Sequence, residues 1–304
     1  MKTQAMAVPA AQHGHLADYV AISKPRLNLL VVATAAAGYY LGDGGEASWL
    51  RAASAIGGTA LVAAGASALN QVYERHTDRL MERTRLRPLA DGRLGVREAV
   101  AFALVVSVLG LAVLAVGANV LSAFVAFATL VTYVAIYTPL KPLTSFATVV
   151  GAVPGALPPM IGWAAATGHL TREAWILFAI VFLWQMPHFL AIAWLYREDY
   201  ARAGFPLLPV TEPDGHSTAR QVLAYGSVLI PVSLVPTAIG LANPIYFAGA
   251  LVLGITYLLL GAQFALHRQR GPALRLFIGS IVHPAVIWAL MLAPPAEAAR
   301  AAAL

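Results

Sequence analysis

Three polar residues spaced by four could bind a metal ion. Asn70, Glu74 and Asp78 follow an apolar stretch that ends near residue 70. Residues four apart lie on one face of an α-helix, with about 40° of drift per step. A helix that continues through residue 78 therefore aligns three oxygen ligands. Mg²⁺ prefers a few carboxylates, waters and phosphate oxygens, so the spacing predicts a Mg²⁺ site at this helix end.

A second acidic pair follows a later apolar stretch. Glu198 and Asp199 lie within the run from Tyr196 to Tyr200, and Arg202 comes just after it. Arginine binds phosphate through two parallel hydrogen bonds, so two acidic sites with arginines near them are typical of an enzyme that ionises a Mg²⁺-bound diphosphate. A solvated helix end held by salt bridges is the alternative for each site.

Basic residues accompany the first acidic site. Arg75, Arg79 and Arg83 repeat the four-residue spacing one position along, which predicts a basic stripe beside the acidic one if the helix continues that far. The residue before a proline is pushed out of the helical region. We therefore expect the helix to end before Pro88 and the chain from Thr84 to fold back as a basic loop.

The composition requires the bilayer as solvent for these segments. The 304 residues are 59% hydrophobic and only 11% charged, with a mean hydropathy of +0.71. A spanning helix needs roughly 20 mostly apolar residues. The sequence predicts an all-α, multi-spanning transmembrane bundle of about nine helices, near residues 27–42, 51–70, 97–117, 120–138, 145–167, 173–195, 221–241, 243–266 and 273–293.

The chain divides simply. Residues 1–17 are predicted as a disordered cytoplasmic tail, 18–295 as a single integral-membrane domain and 296–304 as a short C-terminal tail. The chain contains no cysteine, which excludes disulfides, thiolate metal ligands and a cysteine nucleophile. No transit peptide is recognisable, so we expect a bacterial cytoplasmic (inner) membrane.

The positive charges predict an orientation. With these spans, 17 of the 20 lysines and arginines fall on the face that carries the N-terminus, and only Arg51, Arg172 and Arg300 fall on the other. Loops rich in Lys and Arg stay in the cytoplasm, so the N-terminus is predicted inside and the C-terminus outside. The net charge of +6 is therefore one-sided and reflects topology and anionic lipid, with no nucleic-acid partner.

The acidic row resembles the motif of the UbiA-type membrane prenyltransferases, in which Asn is followed by carboxylates four and eight residues later. Four segments are similar to the branch of that family that farnesylates haem, although Glu74 and Glu198 stand where Asp is frequent. Glutamate reaches one methylene further, so the metal geometry can shift. These segments contain Lys24-Pro25-Arg26, Asn70 to Leu89, Tyr137 to Lys141 with Gly151 to Gly168, and Trp184 to Pro209.

The resemblance implies a UbiA-type fold and the transfer of farnesyl from farnesyl diphosphate to a vinyl group of haem B, with addition of water, to give haem O. It implies Mg²⁺ as cofactor, and possible partners are a haem A synthase or terminal-oxidase assembly proteins. The implied metal and catalytic residues are Asn70, Glu74, Asp78, Glu198 and Asp199. The implied diphosphate-binding residues are Lys24, Arg83, Arg87 and Arg202.

Two histidines lie within apolar spans, each beside a proline. His188 follows Pro187, and His283 precedes Pro284. Either could be an axial haem ligand, or could bond a backbone group that the proline frees. We expect the backbone bond for His283. For His188, the matching family segment implies a haem-binding role.

Two other functions stay open. A UbiA-type enzyme acting on a quinone precursor or chlorophyllide shares the acidic motifs and differs in its acceptor pocket. A transporter would suit the Gly-rich and Pro-rich span from Val150 to Gly168. The carboxylates cluster at one membrane face, however, whereas transport sites usually lie at the midplane.

Overall fold

A computed structural model describes residues 15–44 and 48–293, and these residues form helices, turns and loops without strands. Most of the predicted tails, residues 1–14 and 296–304, lie outside the described residues. The prediction of a disordered tail was wrong for residues 15–17, because a short helix already begins at His15.

Fifteen α-helices follow one another along the described chain. The first seven are α1 (His15–Ile22), α2 (Pro25–Gly42), α3 (Trp49–Asp78), α4 (Pro88–Asp91), α5 (Val96–Gly117), α6 (Val120–Val131) and α7 (Thr138–Leu140). The other eight are α8 (Ala147–Ala156), α9 (Pro158–Thr167), α10 (Arg172–Leu195), α11 (Arg197–Arg202), α12 (Leu208–Thr211), α13 (His216–Ala238), α14 (Pro244–His267) and α15 (Arg270–Leu292).

Eight stretches of the described chain are long and apolar enough to cross a bilayer. Two of them combine consecutive elements, since α6 continues to Leu140 and α8 continues into α9. The helices α1 and α2, bent by 47° where they meet, make a ninth candidate. The prediction of about nine spanning helices is therefore confirmed.

The spanning helices form a closed ring. Each packs against the next in the order α2, α3, α5, α6, α8 with α9, α10, α13, α14 and α15, and α15 returns to α2. The pairs α2 with α9 and α10 with α15 also pack across the ring. This arrangement brings the ends of α2, α3, α7 and α10 together on one membrane face.

Glycine permits the closest of these crossings. A methyl group at Gly162 of α9 would lie 1.8 Å from the carbonyl oxygen of Ala35, and one at Gly38 of α2 would lie 2.0 Å from the carbonyl oxygen of Pro159. Small residues let helix backbones approach this closely in membranes. The contact holds α2 in place, and with it the lysine that precedes α2.

A π-helical turn, Thr132–Tyr137, interrupts the span that begins with α6. The hydroxyl of Thr138 donates to the carbonyl oxygen of Tyr133 at 2.8 Å, which stabilises the turn. Such turns occur often at functional sites. Here the turn directs Tyr133 and Tyr137 toward the centre of the ring, where both line a cavity.

Candidate active site

The acidic row lies on the last three turns of α3. Asn70, Glu74 and Asp78 are 2%, 5% and 1% exposed, so the helix buries all three on the same face. The helix extends to residue 78, as the spacing predicted. Buried carboxylates need partners, because an unpaired charge away from water is costly.

Each member of the row has a basic partner. The Lys141 ammonium donates to Glu74 Oε1 at 2.9 Å. One guanidinium nitrogen of Arg87 lies 2.9 and 2.8 Å from the two carboxylate oxygens of Asp78. The Lys24 ammonium donates to Asn70 Oδ1 at 3.0 Å. Each of the two carboxylates therefore has one close cation, and Lys24 adds a third basic group beside Asn70.

The two lysines differ in their electrostatics. Burial of the Lys24 ammonium and the nearby charge of Arg87 lower the pKa of Lys24 to about 7. Burial also acts to lower the pKa of Lys141, but the Tyr137 phenol and the Glu74 carboxylate raise it above its usual range. Lys141 therefore stays charged at physiological pH, whereas an arriving anion would favour protonation of Lys24.

Only the first residue of the predicted basic stripe, Arg75, lies on α3. The helix α3 ends at Asp78, whose carbonyl oxygen accepts a hydrogen bond from the Thr84 hydroxyl at 2.9 Å. This bond holds a returning loop, and the return places Arg87 against the carboxylate of Asp78. The prediction that Arg79 and Arg83 continue a helical row was wrong, because Arg79 is already the C-cap of α3 and Arg83 lies in the loop that follows.

Arg93 stabilises the end of that loop through two contacts. Arg93 forms an ion pair with Asp18 of α1 and donates to the carbonyl oxygen of Leu86 at 2.8 Å. Earlier in the loop, the Arg83 guanidinium lies 5.3 Å from the ring centroid of Tyr196 and donates to the Tyr200 hydroxyl at 3.4 Å. These contacts join the loop after α3 to the segment after α10.

The second acidic pair lies on α11, beside Tyr200 and on the same membrane face as the first. Glu198 is exposed, and Asp199 forms an ion pair with Arg202 within the helix. In the described part of the chain, no three His, Asp or Glu side chains come together as a metal site. The two acidic sites are therefore neighbours, but their carboxylates do not form one cluster.

A cavity of about 450 Å³ opens inside the ring next to these residues. Its lining contains Lys24, Arg83 and Lys141 at one end, with tyrosines 133, 137 and 200 among them. Apolar side chains from α2, α3, α8, α10 and α15 form most of the remaining wall. The cavity thus combines a cationic end with a deep apolar part, which suits an anionic head group on a hydrocarbon chain.

His188 lies on the wall of the cavity. Its Nδ1 is 2.7 Å from the Ser280 hydroxyl, which itself donates to the carbonyl oxygen of Phe277 at 2.5 Å. Because that hydroxyl has a single proton, Nδ1 of His188 must be the donor, and Nε2 keeps a free electron pair. The ring stacks between Trp184 and Phe277, at centroid distances of 5.4 and 5.3 Å.

His283 does not behave as predicted. It is 3% exposed, and neither ring nitrogen has a hydrogen-bond partner among the described residues. Among the described residues, His283 therefore does not form the expected hydrogen bond to a backbone group freed by Pro284. Its ring packs against Tyr257 at 5.2 Å between centroids, so apolar and aromatic contacts hold it.

Sequence reasoning missed two residues of the cavity. Lys141 looked like one more basic residue at the end of a span, although it lies in a segment that matches the family. Gln185 stands in the middle of an apolar stretch beside Pro187 and His188. A polar residue inside a spanning helix usually turns toward the protein interior, and this signal could have identified Gln185.

Comparison with known proteins extends these observations. A model described as the UbiA prenyltransferase family matches residues 31–291. A protoheme IX farnesyltransferase of Solibacter usitatus is 48% identical over 284 residues, which cover 90% of this chain and 97% of that protein. One of Koribacter versatilis is 44% identical over 257 residues, or 83% of each chain.

Solved structures share the fold. A digeranylgeranylglyceryl phosphate synthase structure superposes with a TM-score of 0.77 at 15% identity, covering 91% of this chain and 97% of that one. A UbiA homologue from Archaeoglobus fulgidus, bound to GPP and Mg²⁺, superposes with a TM-score of 0.66 at 18% identity, covering 91% of this chain and all of that one.

Proposed function

Because the chain belongs to the UbiA prenyltransferase family, we propose that it transfers the farnesyl group of farnesyl diphosphate to a vinyl group of haem B. Water adds in the same reaction, and diphosphate is released, so the product is haem O. The observation that carries the proposal is the cavity, which has a cationic end beside two buried carboxylates and an apolar interior. The haem acceptor is supported by the curated relatives of this chain.

The donor set fits Mg²⁺. Glu74 and Asp78 present two buried carboxylates one helical turn apart, and Asn70 adds an amide oxygen on the same face. Mg²⁺ binds through one or two carboxylates together with waters and substrate phosphates. Glu198 and Asp199 would supply the second acidic site. Mg²⁺ held by these two acidic sites would neutralise negative charge on the departing diphosphate.

The cations of the site would bind the diphosphate. Lys24, Arg83 and Lys141 line the cavity, and Arg87 is adjacent through its pair with Asp78. In the described state, Lys141 and Arg87 neutralise the α3 carboxylates. If bound Mg²⁺ supplied that neutralisation, both side chains would be free to bind phosphate oxygens. Arg202 would act from the exposed side of α11, after release from Asp199.

The apolar part of the cavity would hold the farnesyl chain and exclude water from the allylic cation. Charge on the leaving diphosphate builds next to fixed cations, which lowers the barrier to breaking the C–O bond. The electron-rich vinyl group then attacks the allylic carbon. The first cation must not meet water, whereas the second, on the haem side chain, must accept one water molecule.

His188 would contact the haem. Its Nε2 has a free electron pair, because Nδ1 donates to Ser280, and neutral imidazole nitrogen is a common axial ligand of haem iron. The flanking rings of Trp184 and Phe277 offer flat apolar surfaces beside it. A His188→Ala variant should bind haem more weakly and change its absorption spectrum; an unchanged spectrum and affinity would disprove the contact.

The decisive assay incubates the detergent-solubilised protein with haem B, farnesyl diphosphate and Mg²⁺, and follows the pigments by chromatography and mass spectrometry. We expect a product heavier by one farnesyl group and one water, and we expect EDTA to abolish it. Diphosphate release without a modified haem would favour a quinone precursor or chlorophyllide as acceptor. The transporter reading requires saturable flux without diphosphate release, and family membership argues against it.

The chain is a multi-pass membrane protein, and its environment follows from its charges. We infer that it lies in a bacterial inner membrane with the N-terminus and the cationic end of the cavity on the cytoplasmic side, where farnesyl diphosphate, a soluble anion, would arrive. Haem O would leave to a haem A synthase or to terminal-oxidase assembly proteins. The distribution of Lys and Arg among the loops of the chain supports this orientation.

A further inference from the structure

Gln185 is a buried polar side chain at the cavity that the steps above do not use. It lies on α10, one turn before His188, and only 3% of it is exposed. Both residues line the cavity. Burying a polar amide in the middle of a spanning helix costs free energy unless its groups are hydrogen-bonded. The partners of the amide nitrogen and of the amide oxygen therefore indicate the role of Gln185.

The orientation of the amide follows from its partner. Gln185 Nε2 donates to the carbonyl oxygen of Ala152 on α8 at 2.7 Å. A carbonyl oxygen can only accept, so the amide nitrogen must face Ala152 and the amide oxygen must point away from it. Among the described residues, no donor reaches this oxygen. Gln185 therefore presents a fixed hydrogen-bond acceptor at an otherwise largely apolar wall.

Gly155 lets that acceptor pack directly against the backbone of α8. A methyl group at this position would lie 2.3 Å from Gln185 Oε1, closer than two such atoms can approach. Gly155 also lines the cavity. The oxygen thus occupies the space that a larger side chain at position 155 would need. On the cavity side of Gln185, a water molecule could donate one hydrogen bond to Oε1 and keep an electron pair free on its other side.

We propose that Gln185 holds the water that adds to the haem side chain. The inference rests on the proposed function. When the farnesyl carbon bonds to the terminal vinyl carbon, the positive charge moves to the carbon next to the ring. The oxygen of the held water forms a bond to that carbon, and the resulting oxonium loses its proton to the diphosphate, which is the base that the reaction releases.

Without this water the same cation can react in another way. It can lose a proton from the neighbouring carbon, which now carries the farnesyl group, to form a carbon–carbon double bond. This product is lighter by one water than the hydroxylated one. The fate of the cation therefore reports on Gln185 separately from the farnesyl transfer that precedes it.

The test measures product partitioning in Gln185→Met, which keeps the size of the side chain and removes the acceptor. Since one hydrogen bond is worth about 1 kcal/mol, we expect the ratio of hydroxylated to dehydrated product to fall about fivefold, while farnesylated haem of both kinds is still formed. An unchanged ratio in Gln185→Met would overturn the proposal. If no haem is farnesylated even by the unsubstituted protein, the proposed function itself fails.

Further variants separate a water-binding role from a structural one. Gly155→Ala keeps Gln185 but forces its amide oxygen to move, because the added methyl would lie 2.3 Å from Oε1. It should therefore shift the ratio in the same direction, and it serves if Gln185→Met does not fold. Thr129→Val and Thr148→Val remove other hydroxyls that line the cavity. These two variants should keep the ratio; a shift to dehydrated product in either, with none in Gly155→Ala, would assign the water elsewhere.

Discussion

At the scale of single residues, charge and hydrogen bonding decide what the candidate site can do. Glu74 and Asp78 are buried carboxylates that would be costly without partners, and each has one cation at 2.8–2.9 Å. Such pairs neutralise the site before substrate arrives. In the proposed mechanism, a metal ion and its diphosphate would enter by exchanging partners with these pairs, without creating an unpaired charge.

Asp78→Asn tests the acidic row. The change keeps the size of the side chain and removes the charge that a metal ion needs, so we expect turnover to fall by about 100-fold or more. The measurement is haem product formed per enzyme. Asp214→Asn, at an exposed position on the same face, is the matched control and should stay active. Full activity of a folded Asp78→Asn protein would remove the acidic row from the mechanism.

Lys141→Met tests the cation that sequence reasoning missed. Charged hydrogen bonds are worth about 1.5–3 kcal/mol, so we expect KM for farnesyl diphosphate to rise roughly tenfold or more. Lys141→Arg keeps the charge and should restore much of the affinity. The control is Arg220→Met, which removes an exposed positive charge from the same face. Equal effects of Lys141→Met and Arg220→Met would reduce Lys141 to a topology charge.

At the scale of elements, helix crossings and breaks position these side chains. The crossing of α2 and α9 sets where α2 begins, and Lys24 stands just before it with a left-handed backbone, φ 47°. The break after Asp78 returns the chain so that Arg87 meets the row it follows. The π-helical turn before α7 directs Tyr137 toward the cavity, and Lys141, which follows α7, also reaches it.

Gly162→Ala tests the crossing. The added methyl would lie 1.8 Å from a backbone oxygen of α2, so the helices must separate. Overpacking of this kind costs typically 1–3 kcal/mol, and we expect a lower Tm in detergent together with a higher KM for farnesyl diphosphate. Gly57→Ala on α3 is the control, because nothing lies within 4 Å of its added methyl. A Gly162→Ala protein as stable as Gly57→Ala would show that the crossing is looser than described.

At the scale of the whole molecule, the ring separates two environments. Its cationic end faces one aqueous side, where the loops after α3, α7 and α10 meet, and its apolar interior lies within the membrane. A soluble diphosphate and a hydrophobic acceptor can therefore enter the same cavity from different phases. The orientation that we propose places the basic face in the cytoplasm.

The orientation can be measured directly because the chain contains no cysteine. Asp214→Cys lies on the basic face, and His169→Cys lies between α9 and α10 on the opposite face; both positions are exposed. In spheroplasts of a bacterial host, an impermeant maleimide should label the cysteine at 169 and should reach the cysteine at 214 only after permeabilisation. The reverse labelling pattern would invert the proposed topology.

Local sequence patterns determined the spanning helices and the acidic row. The spanning helices follow from apolar stretches of about 20 residues, because each must satisfy its own backbone in lipid. The acidic row follows from helical spacing, since Asn70, Glu74 and Asp78 belong to one continuous helix. The helix ends before Pro88, as expected, but it already ends at Asp78, and Pro88 is the first residue of α4. For the spans and the acidic row, the information lies within a few turns of the residues concerned.

Only the tertiary structure decided which distant groups meet. Lys141 is 67 residues from Glu74 along the chain. Ser280 is 92 residues from His188, and its hydroxyl decides which nitrogen of that histidine keeps a free electron pair. The oxygen of Gln185 is fixed by a carbonyl group on another helix. The spacing of residues along one helix is set by the backbone, whereas contacts across the ring depend on how helices cross and where glycine lets them approach. A single sequence therefore predicts the acidic row, and the folded ring adds the cations and the acceptors around it.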